Sequence, residues 1–537
     1  MQLTLKNLSL VEAYFRQLQQ YVKGVKESSF LQKIAAIKEQ IKELKLELLI
    51  KKAQSYLDQN EGGKSFALIK ADLYTAPNYL LYMIAAESMS IQNRAQQALE
   101  YYQSAFQHSA NDKQQKTALL GIARMQFWLA QYVRAKDTFT RLLHYNLSAQ
   151  EYQKALAGLV KSYAYYDRPQ KAYQQIPSTL VFKAPELIIA AAQASSWAGW
   201  SDISKTILHD YQPVLEGSDL SSGLTKDWQD LIWQTDLDTW PNIISPTFFA
   251  SRDTETFHKK QVTLDYRHYW SYAAQTSFGP EFIDYSQYNF YALNATGFYL
   301  SQSIQPNRHL SLIGKIEPMA YKDQTVLQHP SWNPVLWMAK GTVNPNDYIK
   351  LNLLAQKEII ETFPAFYNRI SDNQYAGTLT LSPLAYLKLD GSLSRLNISD
   401  DNIRQGYFLA TTLVANPDLG LSTTFIYRGF SNEFKSPDYF SPHQYKEKKI
   451  LLRLGRRLGA TWHYYLDGGL GRQYITPLVN SETNSSPTYQ WGMGINGPLT
   501  KHLFVTFYYI NTHQASAFID SVGYAYQCGG LSFNLLT

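Results

Sequence analysis

The sequence predicts an α + β chain in two parts: an N-terminal α-solenoid, then a C-terminal transmembrane β-barrel of ~16 antiparallel strands. Three observations predict it. A helical repeat marked by small residues recurs over residues 50–215. Near residue 240 the apolar period switches from helical to alternating. The 537 residues include 40 Tyr and 11 Trp, a load familiar where aromatic rings sit at a membrane interface. The expected parts are an amphipathic helical, coiled-coil-like segment (1–49), the solenoid (50–215), a connector (216–244) and the barrel (245–537).

In the first segment Ile34, Ile37, Ile41, Leu44 and Leu48 step by 3, 4, 3 and 4. That apolar seam predicts a long helix docked on its neighbours. In the repeat, each unit carries a small or β-branched residue on a first helix: Ala53, Ala86, Ala123, Val160 and Ala192. Twelve residues later a small residue follows on a second helix: Ser65, Ala98, Ala135, Ala172 and Ser204. Four further on stands a larger apolar residue: Ile69, Tyr102, Phe139, Ile176 and Leu208. The second set recurs at intervals of 33, 37, 37 and 32. Two antiparallel helices approach closely only where side chains are small, and the larger residue one turn on fills the groove to the next pair. The spacing resembles the tetratricopeptide repeat, in about five degenerate units. Pro77 and Pro213 lie near positions where that repeat often carries proline. The resemblance implies a concave surface that binds partner proteins.

Beyond "DTWPNIISPTFF" period 2 takes over. In "GLSTTFIYRG" Leu421, Thr423, Phe425 and Tyr427 share one face. Leu387, Leu389 and Leu393 do so in "LKLDGSLS", and Leu503, Val505, Phe507 and Tyr509 in "HLFVTFYYI". Asn, Asp, Gly and Pro punctuate between them, and no long helical stretch interrupts. At ~18 residues per strand and turn the segment holds ~16 strands. So many strands in succession need closure to remove their edges. The final strand alternates through Leu531, Phe533 and Leu535 but ends on Thr537, where outer-membrane barrels usually end on an aromatic.

Composition excludes several classes. The formal charge of +6 divides evenly, with 26 basic and 23 acidic groups up to residue 244 and 24 and 21 beyond it. Neither part has the concentrated basic patch of a nucleic-acid binder. A single cysteine, Cys528, permits no disulfide framework and no cysteine-based zinc site. No apolar run is long enough for a transmembrane helix. The start, "MQLTLKNLSLVEAYFRQLQQ", has no signal-peptide pattern, which alone points to the cytoplasm. A barrel bound for the outer membrane needs an export signal, so the expectation is a chain truncated at its start.

No chemical motif stands. "GGKS" (62–65) has Asp58 where a phosphate loop needs glycine, and Ser65 is already a packing position. "DLD" (236–238) reads as a solvated linker. Asp400–Asp401 and Glu281/Asp284 could be paired carboxylates for glycoside hydrolysis, but their setting reads as turns and surface loops. No catalytic residue, metal or cofactor is expected. Arg453 falls on the polar phase of "ILLRLG", which points it either into a lumen, where charge tunes selectivity, or to the lipid headgroup level, the two readings standing even; Arg456 follows it.

The stretch "DYFSPHQYKEKK" (438–449) raises one further resemblance. Tyr439-Phe440-Ser441-Pro442-His443-Gln444-Tyr445 is similar to the "Y-[FY]-S-P-Q-x-Y" signature in the barrel of the cellulose synthase operon C subunit, with His443 in place of the usual Gln. "YYLDGGLGRQY" (464–474) looks like that family's next strand. Helical repeats followed by a barrel also resemble the poly-N-acetylglucosamine porin. The local match spans about 40 residues, and the array is shorter than in the cellulose subunit. The resemblance implies an outer-membrane exporter of an exopolysaccharide without covalent chemistry. Its periplasmic repeats would recruit synthesis or modification proteins, its barrel would meet outer-membrane lipid, and Tyr439, Phe440, Ser441, Pro442, Tyr445, Arg453 and Arg456 would belong to the polysaccharide pathway. Pro442 suits a strand start because proline lacks a ladder donor. The near-neutral barrel suits an uncharged or lightly charged polymer, whose sugar C–H faces stack on Tyr and Trp.

Overall fold

The computed structural model describes residues 10–17, 20, 28–75, 77–288, 290–325, 329–416, 420–458, 461–513 and 525–537. The chain divides into two compact units, Met1–Ser162 and Tyr163–Thr537.

The first unit is helical: α1 (Ser28–Asp58), α2 (Gly62–Ile69), α3 (Asp72–Thr75), α4 (Tyr79–Ile91), α5 (Ala95–Gln107), α6 (Asp112–Trp128), α7 (Tyr132–Leu143) and the larger part of α8 (Ala149–Tyr165). Ala53, Ser65, Ala86, Ala98, Ala123, Ala135 and Val160 are fully buried within it. Ser65 Oγ donates to the Ala53 carbonyl at 2.9 Å, tying the second helix to the first. Tyr102 and Phe139 are buried where the following helix carries glycine: a Cβ on Gly121 would lie 2.4 Å from the Tyr102 ring, and one on Gly158 2.2 Å from Phe139.

The seam of α1 is not docked along its length. Ile37 and Leu44 stand about half-exposed, and the packed residues are Leu46, Leu49, Ile50, Ala53 and Leu57. The neighbours needed to cover the earlier part are absent among the described residues, and the side chain of Ile34 lies outside them. Of residues 1–27 only 10–17 and 20 are described.

One backbone device recurs in both units. Asn60, Asn93, Ala130, Asp167 and Gly199 all have φ between +55° and +83°. Each ends a first helix. The next residue's N–H bonds a carbonyl five positions back: Glu61 to Tyr56, Arg94 to Met89, Gln131 to Gln126, Arg168 to Tyr163 and Trp200 to Ser195. This left-handed cap satisfies carbonyls that the helix end orphans and turns the chain into the second helix.

The second unit opens with α9 (Pro169–Gln174), α10 (Pro185–Trp197), α11 (Ser201–Asp210), α12 (Gln212–Glu216) and α13 (Ser222–Thr239). Ala172, Ala192 and Ser204 are fully buried here. The expected connector is therefore mostly α13, capped by Ser221. "DLD" is its last turn rather than a linker: Asp236 pairs with Lys205 at 3.7 Å, and Asp238 accepts from Ser201 Oγ at 2.6 Å. Burial raises the Asp236 carboxyl above its ordinary range.

Sixteen strands follow: β1 (Asn242–Asp253), β2 (His258–Ser271), β3 (Ala274–Gln287), β4 (Tyr291–Asn307), β5 (Leu310–Asp323) and β6 (Val335–Asn346). Next come β7 (Ile349–Ile359), β8 (Ser371–Leu384), β9 (Leu387–Ile398), β10 (Ile403–Asn416) and β11 (Leu421–Asn432). The last are β12 (Gln444–Leu458), β13 (Trp462–Thr476), β14 (Asn484–Thr500), β15 (Leu503–His513) and β16 (Ala525–Leu536). A short helix, α14 (Phe363–Tyr367), lies between β7 and β8. Each strand pairs antiparallel with its sequence neighbours, and β1 closes on β16, with Ile243 opposite Leu536 and Thr247 opposite Ser532. The strand starts at Asn242, three residues before the expected boundary, with Pro246 held where it faces the outside.

Alternation sorts the wall. Phe282, Phe298, Leu300, Ile316, Leu353, Leu393, Leu409, Ile450, Leu452 and Leu470 face outward and are exposed. A closed barrel with such an outer band is a membrane-spanning barrel. The two rims differ. At one, five connections are two residues long, such as those between β2 and β3 and between β6 and β7. At the other, loops 360–370 and 433–443 each run to eleven. The helices of this unit join the short-turn rim. Asp347 accepts from the Gln170 and Lys171 N–H groups at 2.9 Å each, capping α9. Arg168, 1% exposed, donates to the Ser382 carbonyl at 2.6 Å and lies over the Tyr348 ring. Asp202 and Arg308 form a two-pronged pair, and the Trp240 indole donates to the Thr537 carbonyl at 3.0 Å.

Candidate functional site: the lumen and its inward-folded loops

The inner phase of the strands is polar on its middle and short-turn reaches, with Gln261, Thr263, Thr378, Ser392, Thr412 and Thr424 among its side chains. "KEKK" shows how alternation builds it. Lys446 and Lys448 face out, whereas Glu447 and Lys449 face in and are buried. Glu447 accepts from Lys449 at 2.9 Å and from Arg428 on β11, the kind of partnering that buried charge requires. Arg453 lies on the same inner phase and makes a two-pronged pair with Asp467 at 2.6 and 2.7 Å, its guanidinium over Tyr465. Arg456 sits three residues on, an odd step that turns it to the outward phase of Ile450 and Leu452.

The long-loop mouth is narrowed from two sides. Loop 360–370 carries α14 inward. Phe363 and Phe366 pack on Ile283, Tyr285, Leu293, Ala295, Met319 and Tyr321 of the β3–β5 inner wall. Glu361 holds this loop to the wall, accepting from Lys259 Nζ and from Tyr285 Oη at 2.7 Å each. Thr362 caps α14, its Oγ1 accepting from the Ala365 N–H at 3.1 Å.

Loop 433–443 enters from the opposite wall and holds most of the "YFSPHQY" stretch. Tyr439, Phe440 and Ser441 are at most 4% exposed. The Tyr439 hydroxyl donates to the Asp400 carboxylate, 2.9 and 3.1 Å from its two oxygens, and accepts from Asn402 Nδ2 at 2.9 Å. Burial pushes that hydroxyl above its ordinary range, and it pushes the Tyr367 hydroxyl of α14 up to about 12. Phe440 packs with Phe430, Tyr445 and Ile475. The Pro442 carbonyl accepts from Asn432 Nδ2 at 2.7 Å, and Tyr445 is the first inward residue of β12. The two loops meet: Asp438 accepts from Thr362 Oγ1 through its carbonyl and from Asn368 Nδ2 at 2.9 Å. Tyr439 packs against Ala365 and Ile370.

The carboxylate pairs separate. Asp400 is engaged by Tyr439, and its neighbour Asp401 holds the left-handed turn at φ +66°. Glu281 and Asp284 lie in β3, not in a surface loop, and their odd spacing puts them on opposite faces: Glu281 is buried inside, while Asp284 is exposed. Gly62 of "GGKS" packs so closely that a Cβ there would meet the Ser88 carbonyl at 2.7 Å, leaving no phosphate cradle. Among the described residues no three His, Cys, Asp or Glu side chains gather as a metal site.

No protein-family model and no curated protein matches the sequence. Solved structures do. A bacterial polysaccharide outer membrane secretin is similar over 55% of this chain and 98% of its own, at 11% identity and TM-score 0.45. PilF of Pseudomonas aeruginosa is similar over 35% of this chain and 82% of its own, at 13% identity and TM-score 0.29. A tetratricopeptide repeat protein from Parabacteroides merdae is similar over 35% and 72%, at 21% identity and TM-score 0.27. Likenesses of this strength concern architecture and carry no functional argument. The chain is thus a helical, repeat-bearing N-terminal region followed by a closed sixteen-stranded antiparallel membrane barrel.

Proposed function

We propose that this protein is an outer-membrane exporter of an exopolysaccharide. Its helical repeats lie on the periplasmic side and recruit the proteins that make or modify the polymer, and the barrel passes the chain without covalent chemistry. The observation that carries the reading is the junction of a polar-walled barrel with aromatic loops at its long-loop mouth, one of them the "YFSPHQY" stretch. Short turns at one rim and long loops at the other match the periplasmic and extracellular ends of outer-membrane barrels. Tyr439, Phe440, Ser441, Pro442, Tyr445 and Arg453 belong to the pathway or frame it in this reading. Deleting the gene in the native bacterium is expected to remove surface polysaccharide, and the intact gene to restore it. A deletion strain with unchanged surface polysaccharide overturns the proposal.

One observation favours a second reading, a scaffold whose barrel is only an anchor: loops 360–370 and 433–443 meet inside the mouth. Purified protein that forms no pores in planar bilayers supports the anchor and removes the exporter.

A further inference from the structure

A second cavity lies at the opposite, short-turn end of the lumen, within the Tyr163–Thr537 unit. Its volume is about 690 Å³, in the range of small-molecule sites. Helices supply one side: Tyr165, Gln193 and Trp197 from α8 and α10, and Asp227, Asp230 and Gln234 from α13. The inner wall of β13–β15 supplies the other, with Tyr465, Asn496 and Tyr508.

The lining has two chemistries. Aromatic rings stand at both sides; Tyr165 and Trp197 hold each other edge-to-face at 5.0 Å, which fixes the Trp197 plane. Amides and carboxylates lie between. Gln193 is 5% exposed, yet among the described residues its Oε1 has no hydrogen-bond partner, while its Nε2 reaches Tyr165 Oη at 3.4 Å. A buried amide oxygen left unpaired destabilises a fold unless something donates to it. Gln234 Nε2 donates to Asp230 at 2.8 Å, an orienting contact rather than a closing one.

We infer that this cavity is a binding subsite for sugar units of an uncharged polysaccharide, placed where the polymer leaves the helical region and enters the barrel. A pyranose ring offers an apolar C–H face that suits the electron-rich face of Trp197. Its equatorial hydroxyls donate to the Gln193 oxygen and the Asp227 and Asp230 carboxylates. Those two carboxylates repel an acidic polymer, so the subsite selects neutral sugars. The inference rests on the export reading and names its substrate class.

The test uses full-length protein in detergent micelles, titrated calorimetrically with cellohexaose and with chitohexaose. At least one hexaose is expected to bind. Trp197→Ala, at a 41% exposed position, and Gln193→Ala are each expected to weaken it about tenfold or more. Trp128→Ala, exposed on the first unit, is expected to leave it unchanged. Binding that is insensitive to both cavity variants overturns the subsite. So does the absence of binding by either hexaose, and the gene-deletion result then decides separately whether export survives.

Discussion

At the scale of single residues, Tyr439 ties loop 433–443 into the long-loop mouth. Its hydroxyl serves Asp400 and Asn402 together, and it is nearly without solvent contact. Removing the oxygen takes one partner from the half-buried Asp400 carboxylate and one from the buried Asn402 amide, which keeps its bond to the Phe434 carbonyl, at a cost of ~1–3 kcal/mol. Tyr439→Phe is therefore expected to keep the barrel closed while loosening loop 433–443. Amide hydrogen exchange checks this: exchange should quicken at 433–443 and stay unchanged in the neighbouring strands. Protection equal to wild type at that loop contradicts the account. Arg453 shows how far parity alone reaches. The polar phase of one strand points it inward but leaves a headgroup position equally open, and the same count carried three residues further puts Arg456 on the outward phase.

At the scale of elements, the repeat rests on five left-handed turns at intervals of 33, 37, 37 and 32 residues, the spacing of the small residues on the second helices. Ala130 is the ill-suited member, since its φ of +55° brings Cβ against the backbone. Ala130→Gly relieves that strain and gives back some unfolded-state entropy, for a net gain of roughly 0.5–1 kcal/mol. A rise in the chemical denaturation midpoint of the helical transition checks it, and a fall refutes it. The repeat is legible in the sequence because close helix packing restricts side-chain size at fixed spacing. The turns are not, because Asn, Ala, Asp and Gly all fill the same backbone state. The strands are legible from period 2. The inward fold of loop 360–370 is not: "FPAFY" (363–367) is simply apolar, and its partners lie on strands tens of residues earlier. The short-turn cavity is hidden for the same reason, since Gln193 and Tyr465 meet only through the tertiary fold.

At the scale of the molecule, loop 360–370 is held to the wall by a charged latch, Glu361 to Lys259 and Tyr285. Glu361→Gln removes the ion pair and leaves the apolar seat of Phe363 and Phe366 intact. In bilayers the variant is expected to spend more time in higher-conductance states than wild type, and identical recordings contradict a latch. The barrel's closure has another consequence, one of timing. The seam pairs Ile243 with Leu536, nearly three hundred residues apart in the chain. Bringing such distant segments together is slow, because entropy is lost before contacts repay it. Until β16 arrives, β1 is an unpaired edge, open to any other extended chain. During biogenesis the nascent wall therefore needs an escort that shields its first strand until the last has been made. Crowding and misassembly threaten this protein most in that interval, before it has any lumen at all.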